Sequence, residues 1–366
     1  MGEPIGVGVV GMGAISEAYL ETLDVLTSLR LLAVCDVDHE RAVMAAERRP
    51  GVRPLAVDEL LADPEVDVVV NLTPPAHHSS VALAAIAAGK SVYNEKPLAV
   101  TVAEARELLH AAAIAGVRVG AAPDTVLGRG VQSARHYLDA GVIGPPSAAV
   151  ASFMCPGHES WHPRPDFYYA LGGGPLYDMG PYYVTALVTL LGPVVSVVGA
   201  GNAPRTTRTI RSGPRAGETI PVEVLTHVAG IVTHESGAVS TITMSFDAVG
   251  TRAEPIEVHG PVGSLVVPDP NRFDGSVLLR SVGNNAWSGL PEAGGYAVGG
   301  RGIGVAELMT AQDPAHARTS GALALHVLNV LEALIDSARG GRAIEVTSPA
   351  VQPPPVPMWR EPSWPS

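Results

Sequence analysis

The chain is predicted to be an α/β protein in two parts. A doubly wound parallel sheet comes first, followed by an α+β domain with a large, mostly antiparallel open sheet. Three observations predict this. Through residue 120, short apolar β-branched runs alternate with helical patterns, as parallel βαβ units require. After about residue 122 the strand-like runs lengthen, and two of them are joined by Glu235-Ser236-Gly237, a hairpin signal. A length of 366 residues is enough chain for two hydrophobic cores. The expected organisation is a doubly wound domain over 1–122, an α+β domain over 123–348, and a proline-rich tail over 349–366.

In order along the first part, residues 5–10, 31–35, 66–72, 91–94 and 117–120 read as strands. The helices between them carry their own punctuation. Thr101 with Glu104 makes a capping box, and Gly89 and Gly116 stand where a helix C-terminal glycine belongs. A helix over 131–139 opens the second part, followed by strands near 148–154, 194–199, 222–233, 239–246, 256–258 and 277–280. Residues 322–338 form a late amphipathic helix. The last 18 residues hold seven prolines, which predicts an extended, surface-lying tail.

Composition narrows the functional classes. Hydrophobic residues make up 46% of the chain, yet the longest apolar stretch is split by Gly192-Pro193, so no membrane-spanning helix is expected. The start, Met1-Gly2-Glu3-Pro4, has neither a basic region nor a cleavage site, so a cytoplasmic location is expected. Two cysteines, Cys35 and Cys155, are too few for a disulfide framework and lack metal-ligand spacing. A formal charge of −12 argues against nucleic acid as a partner. Arg205, Arg208, Arg211 and Arg215 cluster in a Gly/Pro/Thr-rich stretch that reads as a solvated loop.

Two motifs carry chemistry. Gly11-Met12-Gly13-Ala14-Ile15-Ser16 lies between the first strand and the first helix. Gly11 suits the tight turn, Gly13 lets the backbone approach a pyrophosphate, and Ala14 and Ile15 lead into a helix N-terminus with unpaired N–H groups. Asp36 ends the second strand, where a carboxylate accepts hydrogen bonds from an adenosine ribose and repels a 2′-phosphate. This favours NAD over NADP. Glu95-Lys96-Pro97 follows a short apolar strand, at the carboxyl end where open α/β sheets bind ligands. The proline restricts the backbone of Lys96 to extended or turn conformations.

Taken together, Gly11 to Ser16, Asp36, Thr73-Pro74-Pro75 with His78, Ala88-Gly89-Lys90 and Glu95-Lys96-Pro97 resemble the glucose-fructose oxidoreductase / inositol dehydrogenase (Gfo/Idh/MocA) family. In the second part, the run from Gly172 to Tyr182 is similar to that family's glycine-rich segment ending in Asp-x-Gly-x-His/Tyr. The resemblance implies a Rossmann domain with a bound nicotinamide cofactor, a C-terminal sheet used for oligomerisation as a homodimer or homotetramer, and sugar or cyclitol substrates. Lys96 matches the family's active-site lysine, and Thr73, Pro74, His78 and Glu95 match positions beside the cofactor. Many members carry histidine where this chain has Tyr182. Tyrosine at this position resembles the glucose-fructose oxidoreductase branch. A neighbouring lysine cation and an oxidised nicotinamide would favour its phenolate. Asp178, four residues earlier, shares a helical face with Tyr182 and would orient or relay, whereas Tyr183 points elsewhere and packs.

His158-Glu159-Ser160-Trp161-His162 spells the HExxH zinc pattern, which works only on a helix. Pro156-Gly157 before it and Pro163 and Pro165 after it oppose a helix, so no catalytic metal is expected. His158, Trp161 and His162 are instead candidates to line a polyol pocket, and Asp124 and Thr125, just after the last strand of the first part, are candidates near the same cleft. The resulting expectation is an NAD(H)-dependent dehydrogenase or reductase acting on a secondary hydroxyl or ketone of a sugar, sugar derivative or cyclitol. Two alternatives share the motifs: a redox-neutral NAD-using glycosidase, and a non-catalytic nicotinamide-binding sensor.

Overall fold

A computed structural model describes residues 3–297 and 300–358 of the chain. Its contacts divide into two compact units. One comprises Met1–Gly128, Gly295–Leu328 and Val356–Ser366, and the other Arg129–Gly294 and Asn329–Pro355.

The first unit holds six strands: β1 (Ile5–Val10), β2 (Leu29–Cys35), β3 (Arg53–Pro54), β4 (Val68–Asn71), β5 (Ser91–Asn94) and β6 (Val119–Ala121). All pair in parallel, in the order β3-β2-β1-β4-β5-β6. This is the doubly wound arrangement, with its reversal of strand order between β1 and β4. Helices α1 (Ser16–Val25), α2 (His39–Glu47), α3 (Val57–Ala62), α4 (His78–Ala87) and α5 (Val102–Ala115) make the crossovers. The expected capping box at Thr101 and Glu104 is present, and Gly116 caps α5 in the left-handed conformation. Strand β3, only two residues long, has no readable sequence pattern.

Register matters most for function here. Cys35 pairs with Val10, Val10 with Asn71, Asn71 with Asn94 and Asn94 with Ala121. The carboxyl ends of five strands therefore form one row. The segments that follow them, carrying Asp36, Gly11, Thr73, Lys96 and Asp124, leave from the same edge of the sheet.

The second unit begins with α6 (Arg129–Asp139), β7 (Ala148–Met154), α7 (Pro175–Leu191) and β8 (Val194–Asn202). A two-stranded ribbon of β9 (Thr207–Thr209) and β10 (Thr219–Pro221) follows. Then come β11 (His227–His234), β12 (Val239–Ser245), β13 (Ile256–Gly260), β14 (Gly263–Val267), β15 (Val277–Ser281) and β16 (Ser288–Leu290). Late in the chain, α8 (Ile303–Thr310) belongs to the first unit, the division falls within α9 (Gly321–Gly340), and β17 (Ile344–Glu345) returns to the second. The large sheet has the order β16-β15-β14-β13-β7-β12-β11-β8-β17. Only the β12–β7 pairing is parallel, so the sheet is mostly antiparallel, and β11 and β12 form the hairpin expected at Glu235-Ser236-Gly237.

Each unit has its own core. In the first, Val7, Val9 and Val70 of the strands pack with Tyr19 and Leu20 of α1 and with Val305 and Leu308 of α8. In the second, α7 is buried over nearly its whole length. Among the described residues one helix, Gly321–Gly340, is long and apolar enough to span a bilayer, and 61% of its most apolar window is buried within the protein. Residues 351–358 contain neither helix nor strand. They are nonetheless pinned: Val356 is buried and accepts a hydrogen bond from the Gly295 amide at 3.0 Å, and Pro353 O accepts one from Arg135 at 3.1 Å. The rest of the proline-rich tail, 359–366, lies outside the described residues.

Candidate active site

In the first unit the glycine loop is shaped by its neighbours. Gly11 has φ +103, and a Cβ there would lie 2.8 Å from the Leu72 carbonyl carbon, so only glycine fits. At Gly13, by contrast, a Cβ would meet nothing within 4 Å, which leaves that side of the loop open. Among the described residues none accepts a hydrogen bond from the amides of Gly13, Ala14 or Ile15. Asp36 braces the loop from β2, its Oδ2 accepting from the Met12 amide at 2.7 Å and its Oδ1 from the Asp38 amide at 2.9 Å. A carboxylate has about four lone-pair sites, so each oxygen keeps capacity for a ribose hydroxyl. Open backbone, unpaired amides at the start of α1 and an acidic strand end fit a dinucleotide.

The turns after β4 and β5 are tied to each other by side chains. Asn71 Nδ2 donates to Asn94 Oδ1 at 3.0 Å, and Asn71 Oδ1 accepts from the Thr73 hydroxyl at 2.7 Å. Asn94 Nδ2 donates to Leu98 O at 2.9 Å. His78, expected beside the cofactor, is fully buried, with Nδ1 2.6 Å from Pro97 O and Nε2 2.8 Å from Thr73 O. Both ring nitrogens face backbone carbonyls, so the ring fastens the two turns together and offers neither nitrogen to a ligand. Burial lowers its pKa against the opposing pull of those carbonyls. Glu95 is also buried: Oε1 accepts from the Tyr19 hydroxyl at 2.9 Å and Oε2 from the Lys96 amide at 2.7 Å. Lys96 itself is half-buried, and its peptide bond to Pro97 is cis.

Asp124 and Thr125 are wholly buried. Asp124 Oδ2 accepts from the Gly302 amide at 2.7 Å and the Gly304 amide at 3.1 Å, which anchors the start of α8. Burial pushes its carboxyl up to about 6, against the opposing pull of those amides and of Arg301.

In the second unit, α7 starts at Pro175 after Gly174, whose φ is +91 and whose amide donates to Tyr168 O at 2.7 Å. The glycine-rich run thus folds back on the 166–168 turn before the helix begins. Asp178 and Tyr182 lie one helical turn apart, and Tyr182 is 4% exposed. Tyr183 is buried, with its ring 6.4 Å from that of Phe153, and burial raises its hydroxyl pKa. The segment spelling HExxH is a 3-10 turn over His158–Ser160 and no α-helix. Its two histidines have different partners. His158 Nε2 is 2.8 Å from Asp178 Oδ2, whereas His162 Nδ1 accepts from the Arg164 amide at 3.1 Å. No group of three or more metal-ligating side chains occurs among the described residues. Trp161 Nε1 donates to His158 Nδ1 at 3.2 Å, so His158 carries its proton on Nε2 and gives it to Asp178. Trp161 is 58% exposed and Phe167 52%, leaving two aromatic faces beside this pair.

The reading of the arginine stretch as a solvated loop is corrected at Arg208. Its side chain is fully buried, 3.0 Å from Glu159 and 2.7 Å from Asp247. Arg205 and Arg215 are more exposed and pair with Asp247 and Asp166. Arg208, Asp247, Asn71 and Asn94 were not among the sequence candidates. The asparagines had a signal, since each closes an otherwise mostly apolar strand, Val-Val-Val-Asn and Ser-Val-Tyr-Asn. Arg208 had a weaker one, the alternation Thr-Arg-Thr.

Fold and site together define an NAD-binding oxidoreductase, a dehydrogenase or reductase with NAD as its cofactor. Residues 5–122 match the oxidoreductase family with an NAD-binding Rossmann fold, and residues 131–266 match the GFO/IDH/MocA C-terminal domain. The chain belongs to the Gfo/Idh/MocA family. It is 30% identical over 270 residues to a 1,5-anhydro-D-fructose reductase of Ensifer adhaerens, covering 71% of this chain and 74% of that one. It is 28% identical over 363 residues to a D-apiose dehydrogenase of Paraburkholderia graminis, covering 95% of this chain and 91% of that one. An NAD binding oxidoreductase from Klebsiella pneumoniae has a similar structure, with a TM-score of 0.79, 26% identity, and coverage of 94% and 99% of the two chains. These relatives give no support to a redox-neutral glycosidase or a non-catalytic sensor.

Proposed function

We propose that the protein interconverts a secondary hydroxyl and its ketone on a sugar, sugar derivative or cyclitol, with NAD(H) as the redox partner. The observation that carries this reading is the His158–Asp178 pair beside the exposed faces of Trp161 and Phe167. Polyols need that mixture, with aromatic faces against their C–H surfaces and fixed polar groups for their hydroxyls. Names of sugar-derivative enzymes among the relatives point the same way.

When bound, the nicotinamide supplies or accepts hydride. Gly11, Gly13, Ala14 and Ile15 would hold the pyrophosphate and Asp36 the ribose, with Thr73 and Pro74 alongside. Tyr182 would move the hydroxyl proton, Lys96 would polarise the same oxygen, and Asp178 would orient or relay. His158, Trp161 and His162 would contact the substrate; Asp124 and Thr125, expected to join them, are wholly buried and would serve the scaffold of the first unit. The first unit would hold NAD and the second would serve substrate and assembly, in a cytoplasmic protein; the expected single boundary near 122 gives way to a first unit that also takes in 295–328.

Assembly has its own support. On the outer sheet face, Ile231 is in register with Val198 on one side and Thr241 on the other, and Thr241 with Val150. The three aliphatic residues are 41–48% exposed, which supports a homodimer or homotetramer through this face.

A panel of sugars and polyols with NAD, and of their ketones with NADH, followed by NADH fluorescence, tests the function. Turnover should appear with at least one ring polyol. Glycoside cleavage without net NADH change would overturn the reading.

A further inference from the structure

Asp178 is held by His158, and the turn that carries His158 is held from behind by a buried charge for which the proposed chemistry has no direct use. The charge belongs to Arg208. In the β9–β10 ribbon Arg208 pairs with Ile220, and strand alternation turns these two inward while Thr207, Thr209, Thr219 and Pro221 face out. Ile220 joins a small core of Tyr169, Ile210 and Phe246. Arg208 lies in the same layer, with its guanidinium carbon 5.0 Å from the centre of the Tyr169 ring.

Its hydrogen bonds converge on one turn. Nη1 donates to Glu159 Oε1 at 3.0 Å, to Phe246 O at 3.1 Å and to Pro156 O at 3.4 Å, and Nη2 donates to Asp247 Oδ1 at 2.7 Å. Pro156 and Glu159 bracket His158. Glu159 is held a second time by the Tyr169 hydroxyl at Oε2, and its carbonyl accepts from the Arg211 amide at 2.8 Å. The Phe246 ring, whose own carbonyl binds Arg208, packs 4.6 Å from the His158 ring. One cation therefore grips both sides of residue 158 and the residue that walls its ring.

A buried ion pair is weak evidence for stability, because desolvation offsets its attraction, and a hydrophobic side chain beside Ile220 would serve the core as well. Its directional bonds have a use that a hydrophobic replacement lacks. We infer that Arg208 is a positioning residue, fixing the 156–159 turn so that His158 presents its Nε2–H to Asp178. The inference rests on the reading of Asp178 as part of the reaction centre only for its catalytic consequence. The positioning can be measured without turnover.

The test uses full-length protein saturated with NAD and labelled with 15N-histidine, the His158 signal being assigned by its loss in His158→Gln. Wild-type His158 should show one protonated and one unprotonated nitrogen, the pattern of a single tautomer. Arg208→Lys keeps the charge but cannot span two carboxylates and two carbonyls. It should average the two nitrogen signals and lower kcat at least about tenfold, with the NAD dissociation constant and KM within about twofold. Tyr169→Phe removes one bond to Glu159, keeps the ring under the guanidinium, and should shift the same signals less. It also serves if Arg208→Lys does not fold. A wild-type His158 pattern in the folded variants would overturn the inference. Averaged signals with unchanged kcat would uphold the positioning and refute the reading of Asp178.

Discussion

The strand-end turns of the first unit and the aromatic face of the second are held in different ways. After β4 and β5, uncharged side chains bond within and between the two turns, with Thr73 to Asn71, Asn94 to Leu98, and the His78 ring lodged between Thr73 O and Pro97 O, all inside residues 71–98. Around His158 the partners come from 156–169, Asp178, 205–221 and 246–247, joined by a buried arginine and three carboxylates. A cofactor shared by a whole family needs a backbone turn in one conformation, which local hydrogen bonds supply. The turn that carries His158, which we propose faces the substrate, is set by remote segments, so it can be altered without disturbing the glycine loop. If this division is right, changes in the first region should separate cofactor binding from chemistry in a defined way, and changes in the second should leave cofactor binding alone.

Lys96→Met is the strongest test on the first side. It removes the ammonium but leaves the Lys96 backbone amide on Glu95 and the glycine loop untouched, so kcat should fall by about 10²–10³, or ~2.7–4 kcal/mol. Isothermal titration should give an NAD affinity close to wild type. Normal turnover would remove Lys96 from the chemistry.

Asp124→Asn asks whether the buried acid is scaffold. The folded carboxyl titrates near 6 against an ordinary value of 3.8. The folded state therefore holds this proton more tightly, and the stability it contributes is present below the unfolded value and lost as pH rises through the folded one. Asparagine cannot ionise and keeps an oxygen for the Gly302 and Gly304 amides. Its stability relative to wild type should improve between about pH 4 and pH 7 by up to about 3 kcal/mol, at 1.36 kcal/mol per unit. Urea denaturation at both pH values measures it, and an unchanged difference would show that Asp124 does not titrate in this range.

Asp36→Ser is the smallest change. It removes the charge facing a 2′-phosphate and the brace on the Met12 amide, so preference for NAD over NADP should relax by roughly tenfold, or ~1.4 kcal/mol. Dissociation constants for both dinucleotides decide it. A wild-type preference for NADP would contradict the role of Asp36.

Legibility in the sequence follows the same line between the regions. Strands β1, β5 and β7, the capping box and the hairpin were all readable, because apolar period, cap and turn residues act over a few positions. The positions of Lys96 after β5 and of the glycine loop after β1 were readable for the same reason. His78 was legible as important but not as a buried fastener, since burial depends on Pro97, 19 residues away. Arg208 was misread as solvated. Three threonines, four arginines and two glycines between 205 and 217 look like loop composition, and only pairing with β10 and the presence of Glu159 and Asp247 turn that side chain inward. The tail was read as surface-lying because prolines exclude helix, and the burial of Val356 depends on a partner, Gly295, 61 residues earlier.

The most direct measurement of the division of labour is Tyr182→Phe, assayed for kcat and for NAD binding in parallel. The change keeps the buried ring and removes only the hydroxyl. If Tyr182 moves the substrate proton, kcat should fall by about 10²–10⁴ with NAD affinity and thermal midpoint unchanged, while Tyr183→Phe, turned about 100° around α7 and packed against Phe153, should retain most activity. Full activity in Tyr182→Phe would contradict the account and pass the proton to His158 or His162.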